Sequence, residues 1–325
     1  MPVDADFYKN IIETCFPDIQ VTHIRFVGGG TCRVFTVNHA LIFRFPHGGG
    51  SVEDGDSLED DGAFLYHEKR VYDSVAPLLP LPIPRYRYFS TGCEQFPYPV
   101  AGYEMLPGRS LSACQLTPQA LAVVARQIGE FLSALHSVPL SALPAELQPP
   151  SPASLGRSNA RSLFRQVEAQ AFPLLSPADQ AWTSRLFQEI DSDYSLREIT
   201  PVFTHGDFDG SNILYDESRG AVSGVIDFEE AGQNGDPAAD FCALLAGFGT
   251  VFLEVVLAAY TLDASTAMRR RIHLHAKRIL FIELLYGIQV NDRRFIDNAL
   301  QRLHRARHDI HPIGDWLDVS TSETR

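Results

Sequence analysis

The chain has 325 residues, is 45% hydrophobic and 21% charged, and carries a formal charge of −13. That composition supports a sizeable core without disulfide or metal staples. The acidic balance removes the basic surface that nucleic acid needs, so no nucleic-acid partner is expected; it suits a cationic ligand, although acidity also serves solubility.

Residues 6–16 (D-F-Y-K-N-I-I-E-T-C-F) have helical spacing. V-T-H-I-R-F-V-G-G-G, C-R-V-F-T-V and L-I-F-R-F-P then alternate like strands, with N-H-A as a tight turn between the last two. His47 to Gly62 is polar, glycine-rich and acidic and reads as a surface loop. Ala63 to Leu79 reads as a helix, stopped by L-P-L-P-I-P, and two further strands fit P-R-Y-R-Y-F-S and Y-P-V-A-G-Y-E-M-L. After L-P-G-R-S-L the pattern turns helical: 118–136 with Thr117 as N-cap, then 158–171, 177–190, 238–260, 266–289 and 292–308. Short strands are expected in V-F-T-H-G-D, N-I-L-Y-D and A-V-S-G-V-I-D-F.

Five cysteines, an odd count without C-x-x-C, read as free thiols in a reducing compartment. The start M-P-V-D-A-D-F-Y lacks the basic and apolar runs of a secretory signal, and no uncharged apolar stretch reaches about eighteen residues. A cytoplasmic protein without a membrane partner is expected.

The chemistry-bearing stretch is T-H-G-D-F-D-G-S-N-I-L at 204–214, followed by V-I-D-F at 225–228. Asp207 precedes Asn212 by five residues, and Asp227 follows Asn212 by fifteen. A nucleoside triphosphate is handled as a magnesium complex, and Mg²⁺ takes oxygen ligands from a few carboxylates or amides plus phosphate and water. Phosphoryl transfer also needs a group that orients the attacking hydroxyl and takes its proton. Asp207 for the hydroxyl, with Asn212 and Asp227 for metal, is that minimum set. H-x-D-x-x-x-x-N, a hairpin and I-D-F form the protein-kinase spacing. Each residue alone reads as an ordinary turn residue; the three together carry the functional reading.

A rival reading takes His205 and Asp207 as part of a two-histidine, one-carboxylate iron site, with His273 or His275 as third ligand. It needs a strand-rich barrel, whereas R-R-R-I-H-L-H-A-K-R reads as helix. His205 reads instead as a buried histidine bonded to backbone. G-G-G-T-C-R lacks the third glycine of a dinucleotide fingerprint, and H-G-G-G at 47–50 has no accompanying nucleophile elbow.

With H-G-D-F-D-G-S-N-I-L, V-I-D-F-E-E-A-G-Q-N-G-D-P-A-A-D-F, G-Y-E-M-L-P-G, F-L-S-A-L-H and F-R-F-P, nearly the whole chain resembles the aminoglycoside phosphotransferase family, closest in look to the 2″-phosphotransferases. The resemblance implies an α+β, two-lobed protein-kinase-like fold. A small antiparallel-sheet N-lobe is expected over 1–102, a hinge over 103–108, and a large, mainly helical C-lobe over 109–325. It implies Mg²⁺ with ATP or GTP as donor, bound between the lobes, and a small-molecule acceptor; a monomer is expected rather than an oligomer. Asp207 would be the catalytic base and Asn212 and Asp227 the metal ligands. Gly28, Gly29, Gly30 and Thr31 would lie in the turn over the phosphates, Tyr103 would border the purine, and Glu104 and Leu106 would offer hinge backbone groups. Glu68 would pair with the phosphate-binding lysine; read without the family, it is a solvent-facing helix residue.

Two departures stand out. The lysine position holds Arg44, which can bind phosphate bidentately and still pair with Glu68, although a non-catalytic nucleotide-binding protein is the alternative it raises. The segment C-A-L-L-A-G-F-G-T-V-F-L-E-V-V, where the 2″ branch is acidic, has only Glu254. Glu229, Glu230, Asp236, Asp240 and Glu283 remain as further cation holders, with Asp236 and Asp240 also reading as structural braces. The expected acceptor is an aminoglycoside antibiotic, with a macrolide or a metabolite alcohol such as homoserine, choline or a sugar as alternatives.

Overall fold

The computed structural model describes residues 4–28, 32–47, 62–149, 157–192 and 199–308, with 157–160 and 308 in backbone only. Gly29, Gly30, Thr31 and positions 48–61 of the expected acidic loop lie outside the described residues. The chain divides into two compact units: Met1–Gly108 with Ser223–Glu229, and Arg109–Val222 with Glu230–Arg325.

The first unit is built on a five-stranded antiparallel sheet in the order β1-β2-β3-β5-β4: β1 Ile24–Gly28, β2 Cys32–Val37, β3 Leu41–Pro46, β4 Tyr88–Ser90 and β5 Val100–Glu104. Asn38 and His39, both at positive φ, are the central residues of the turn closed by Ala40 N donating to Val37 O, in the three-residue connection 38–40 between β2 and β3. That backbone matches the twist of paired strands, and an Asn at its first position tolerates it. Alternation sends Phe35, Phe43 and Phe45 into a core with Tyr8, Ile11 and Ile12 of helix α1 (Ala5–Cys15). It therefore turns Arg44 to the opposite face. Helix α2 (Ala63–Val75) buries Leu65, Glu68, Tyr72 and Val75, a stripe at spacings of three and four. Glu68 is fully buried, contrary to its reading as a solvent-facing residue.

The second unit is mainly helical: α3 Pro118–His136, α4 Arg157–Gln166, α5 Pro177–Ser192, α6 Ala239–Ala259, α7 Thr266–Gln289 and α8 Arg293–His308. Thr117 caps α3 by accepting from Ala120 N. A single π-helical turn, Val167–Ala171, prolongs α4. One core joins Leu186 and Phe187 of α5, Leu280, Phe281 and Leu284 of α7, and Ala299 and Leu303 of α8. Helix α6 has the length and apolarity of a membrane span, but half of it is buried in the protein, and Gly249 (φ 83) interrupts it. Strands β6 (Arg109–Ser110), β7 (Ile213–Asp216) and β8 (Ala221–Val225) pair in that order, β8 carrying the chain from the second unit back into the first.

The strand expected in V-F-T-H-G-D is absent: 201–205 belongs to no sheet. The amides of His205 and Gly206 donate instead to Asp240 (2.8 and 2.9 Å), and Gly206 sits at φ 91, where a strand cannot continue. The two-residue strand β6 was not foreseen; its pairing is set by β7, a distant segment.

Candidate active site

In the first unit the candidate residues gather around Arg44. Its Nη1 donates to Glu68 Oε2 at 2.5 Å, and its Nη2 lies 3.2 Å from Asp227 Oδ1 and 3.5 Å from Glu229 Oε2. Its Nε donates to Cys32 Sγ at 3.3 Å. Burial opposes the guanidinium charge, but Glu68 and further anionic neighbours more than offset it and hold the Arg44 pKa well above its ordinary value. The fork shape of arginine lets one side chain serve three carboxylates.

Glu68 is met by donors on both oxygens. Besides Arg44, it accepts from Tyr72 Oη at 2.7 Å, from Tyr86 Oη, and from the Phe228 amide at 3.1 Å. Burial first, and then the Glu68 charge, push both phenols well above their ordinary pKa, so they stay protonated and donate. A buried carboxylate so surrounded meets the rule that buried charge must be paired and hydrogen-bonded. Sequence reasoning missed both tyrosines. Tyr72 was accessible as the i+4 neighbour of Glu68 on α2, whereas Tyr86 is brought in by tertiary folding and has no local signal.

A cavity of about 260 Å³ in this unit is lined by Arg44, Tyr103, Asp227 and Glu229 with Cys32, Val34 and Ile226. Asp227 has φ 69, a left-handed conformation uncommon outside glycine and characteristic of functional turns. Tyr103 is buried, which raises its pKa. Glu104 is exposed and its side chain pairs with Arg87, and the neighbouring Met105 amide donates to Ala40 O. Leu106 packs so close to Gly224 that a Cβ there would come within 2.7 Å of it. Gly28 closes β1 at φ 138, with nothing within 4 Å of where a Cβ would stand.

In the second unit the loop 204–212 is held from several sides. Asp240, fully buried, receives the His205 and Gly206 amides and lies 3.0 Å from His136 Nε2; His136 Nδ1 in turn meets Tyr260 Oη at 2.8 Å. Asp240 thus has a structural role, as one of its two readings had it, but it braces this loop and not the start of its own helix as expected; His136 and Tyr260 were not foreseen. His205 is fully buried and its Nδ1 accepts from the Asp207 amide at 3.3 Å, a backbone contact like the one expected of it. A side chain at Gly206 would meet Glu230 O at 2.5 Å, so the loop closes only with glycine there. Asn212 Nδ2 donates both to Asp207 O (2.9 Å) and to Asp207 Oδ2 (3.0 Å), fixing the carboxylate's rotation.

Gly206 to Ser211, Asp207 among them, form one wall of a cavity of about 810 Å³ within the second unit. That volume is of the size that holds a drug-like ligand. Leu111, Leu116, Leu121, Phe208, Phe248 and Ile279 supply much of the rest. Asp236 is buried away from this lining and engaged by Arg271 (3.1 Å) and His275 (3.0 Å). Burial would raise its pKa, but these two neighbours hold it below the usual carboxylate value. His275, a candidate iron ligand in the rival reading, is therefore on α7 and bonded to Asp236. Glu254 pairs with Arg269 at 2.6 Å, Glu283 with Arg302 at 2.5 Å, and Glu230 is exposed.

Asn212 and Asp227 are oxygen donors of the kind Mg²⁺ takes: the amide nitrogen of Asn212 is turned to Asp207, which points its oxygen elsewhere, and Asp227 has one oxygen on Arg44. One amide and one carboxylate suffice when phosphates and water complete the shell.

The family profile described as APH, phosphotransferase enzyme family, matches residues 24–275. A viomycin phosphotransferase from Streptomyces vinaceus is 32% identical over 170 residues, a match spanning 51% of this chain and 56% of that protein. Among solved structures, the GDP and kanamycin complex of an APH(2″) superposes with a TM-score of 0.80 at 25% identity, covering 94% of this chain and 99% of that one. A macrolide 2′-phosphotransferase from Brachybacterium faecium shares the fold alone, with a TM-score of 0.67 at 19% identity over 91% of this chain and 97% of that one. The antiparallel sheet, the helical second unit and the H-G-D…N…I-D-F residues thus come together in one conclusion: this chain belongs to the APH phosphotransferase enzyme family and has its kinase-like fold.

Proposed function

We propose that the protein transfers the γ-phosphate of ATP or GTP to a hydroxyl of a bulky small molecule. The observation that carries this reading is the placement of Asp207 in the wall of the 810 Å³ cavity, its carboxylate oriented by Asn212. In this reading Asp207 accepts the proton of the acceptor hydroxyl as that oxygen attacks phosphorus in line. Arg44, steadied by Glu68, binds donor phosphate, as the family's lysine does; a buried, fully hydrogen-bonded Arg44–Glu68 pair supports a working phosphate anchor over a non-catalytic binding protein. Asn212 and Asp227 would hold Mg²⁺, which when bound offsets charge developing on the transferred group. Tyr103 borders the base, and Gly29, Gly30 and Thr31 keep their proposed place at the phosphates.

The names of the relatives make antibiotics the leading class of acceptor, with viomycin, kanamycin and macrolides as precedents. A cytoplasmic monomer, with access to nucleoside triphosphate, belongs to the same reading. The test is Asp207→Ala in a nucleotide-coupled screen of aminoglycosides, macrolides, viomycin and amino alcohols with both nucleotides. Removal of a catalytic base costs about 10²–10⁴-fold or more in turnover, while nucleotide affinity stays near that of the unmodified chain. Turnover at the unmodified rate in Asp207→Ala overturns the assignment.

A further inference from the structure

The cavity beside Asp207 has a charge pattern that the family resemblance did not anticipate. Its acidic side chains other than Asp207 are already engaged. Glu283 is paired with Arg302 at 2.5 Å, and Asp209 Oδ1 accepts from the Ser211 amide, the Ser211 hydroxyl and the Asn212 amide. Glu254, the acidic residue of the α6 segment, does not line the cavity and pairs with Arg269. Asp236 is held by Arg271 and His275. Apart from Asp207, a polycation entering here would find apolar walls, one carboxylate paired with Arg302 and one with an oxygen already taken by backbone and hydroxyl donors.

Arg278, on α7, is the opposite case. It lines the cavity, and among the described residues no carboxylate lies within ion-pair distance of it. Its Nη1 meets His275 Nδ1 at 3.0 Å, and its Nε is shut off from solvent with no hydrogen-bond acceptor. A guanidinium has five donors and no acceptor, and one left without a counter-charge in a half-buried setting is costly. Burial lowers its pKa from the ordinary value, and the opposing pull of Cys242 and the more distant Asp236 does not offset it. The side chain nonetheless lines the cavity without a carboxylate in ion-pair contact, so an anionic oxygen there would supply one.

We infer that the acceptor has a largely apolar body carrying a carboxylate, which binds Arg278 while the hydroxyl is presented to Asp207. This deepens the phosphotransferase reading and rests on it. The pocket is large enough for such a body, and the leucine, phenylalanine and isoleucine walls match it. Guanidinium and carboxylate form a charge-assisted pair, here through the Nη groups, since Nε is closed to solvent. Viomycin-like and kanamycin-like polycations are then poorer fits than their precedent suggests.

The test uses the full chain and a matched pair of probes: cholate, a hydroxylated ring body with one carboxylate, and its uncharged methyl ester, each titrated calorimetrically, with kanamycin as the polycation. Binding needs no transfer, so this outcome is independent of the Asp207→Ala result. Cholate is expected to bind at least about tenfold more tightly than the ester, the discrimination of one charge-assisted hydrogen bond. Arg278→Gln should bring cholate down to the ester's affinity and leave the ester unchanged, and Arg278→Lys should restore part of the preference. Ala246→Phe, which fills the cavity, should remove binding of both. Equal binding of cholate and ester, absence of cholate binding, or a cholate preference that survives Arg278→Gln in a chain with unchanged melting temperature overturns the inference. So does kanamycin binding more tightly than cholate.

Discussion

Glu68 shows how a single side chain can be misjudged from its own letter. H-E-K-R-V-Y looks polar, yet Glu68 stands three residues after Leu65 and four before Tyr72, both buried, so helix geometry places it inside. Once inside, it needs the donors it has: Arg44, Tyr72, Tyr86 and the Phe228 amide. Glu68→Gln keeps the shape and removes the charge, leaving Arg44 buried with a lesser partner. Breaking a buried ion pair by removing one member costs about 3–5 kcal/mol, and the low end is expected here because Asp227 still lies 3.2 Å from Arg44. Urea unfolding should report this loss, together with a raised KM for the nucleotide and a less affected KM for the acceptor. At this scale the proposal of Asp207, Asn212 and Asp227 could be made from the sequence because their spacing is a local pattern. Tyr86, His136 and Tyr260 were not, because nothing near them in the chain announces partners 18 to 124 residues away.

Among the elements, the long helices could be read from apolar spacing: α7 spans Thr266–Gln289, the range its pattern defines, and Thr117 caps α3 as its residue type suggests. Where reading failed, tertiary contacts had overridden a local pattern. V-F-T-H-G-D alternates like a strand but is drawn to the Asp240 carboxylate, and β6 is too short to have a pattern. The contact of α3 with α6 rests on Gly129, where a Cβ would meet Val256 O at 2.4 Å and Ala259 Cβ at 2.7 Å. The opposing atoms include backbone, so the helices would have to separate. Gly129→Ala is therefore expected to lower stability by about 1–3 kcal/mol despite alanine's better helix propensity. The exposed neighbour Glu130→Ala should stay within about 0.5 kcal/mol. Thermal unfolding of the two variants distinguishes packing from propensity.

At the scale of the whole molecule, the family and its fold were legible from two linear motifs, because phosphoryl transfer confines its residues to short segments. The acceptor class was not: the cavity proposed for it is assembled from 111–121, 206–211, 234–248, 275–283 and residue 302, and its charge balance depends on which side chains pair. Pairing also sets the response to acid. Burial, with Lys277 next, lowers the His273 pKa below its ordinary 6.5. The folded form therefore prefers neutral His273, and stability present above pH 6.5 is lost as pH falls through the lowered value. Asp236, held below 3.8 against its burial by His275 and Arg271, adds a second loss at still lower pH. The urea midpoint should be flat near neutrality and fall in two stages on acidification, and His273→Gln should remove the first. Finally, the guanidinium of Arg44, within reach of Glu68, Asp227 and Glu229, is a built-in counterion. Three carboxylates from a helix and a loop thus share one internal cation, and the sheet carries that acidic cluster without drawing a counterion from solvent.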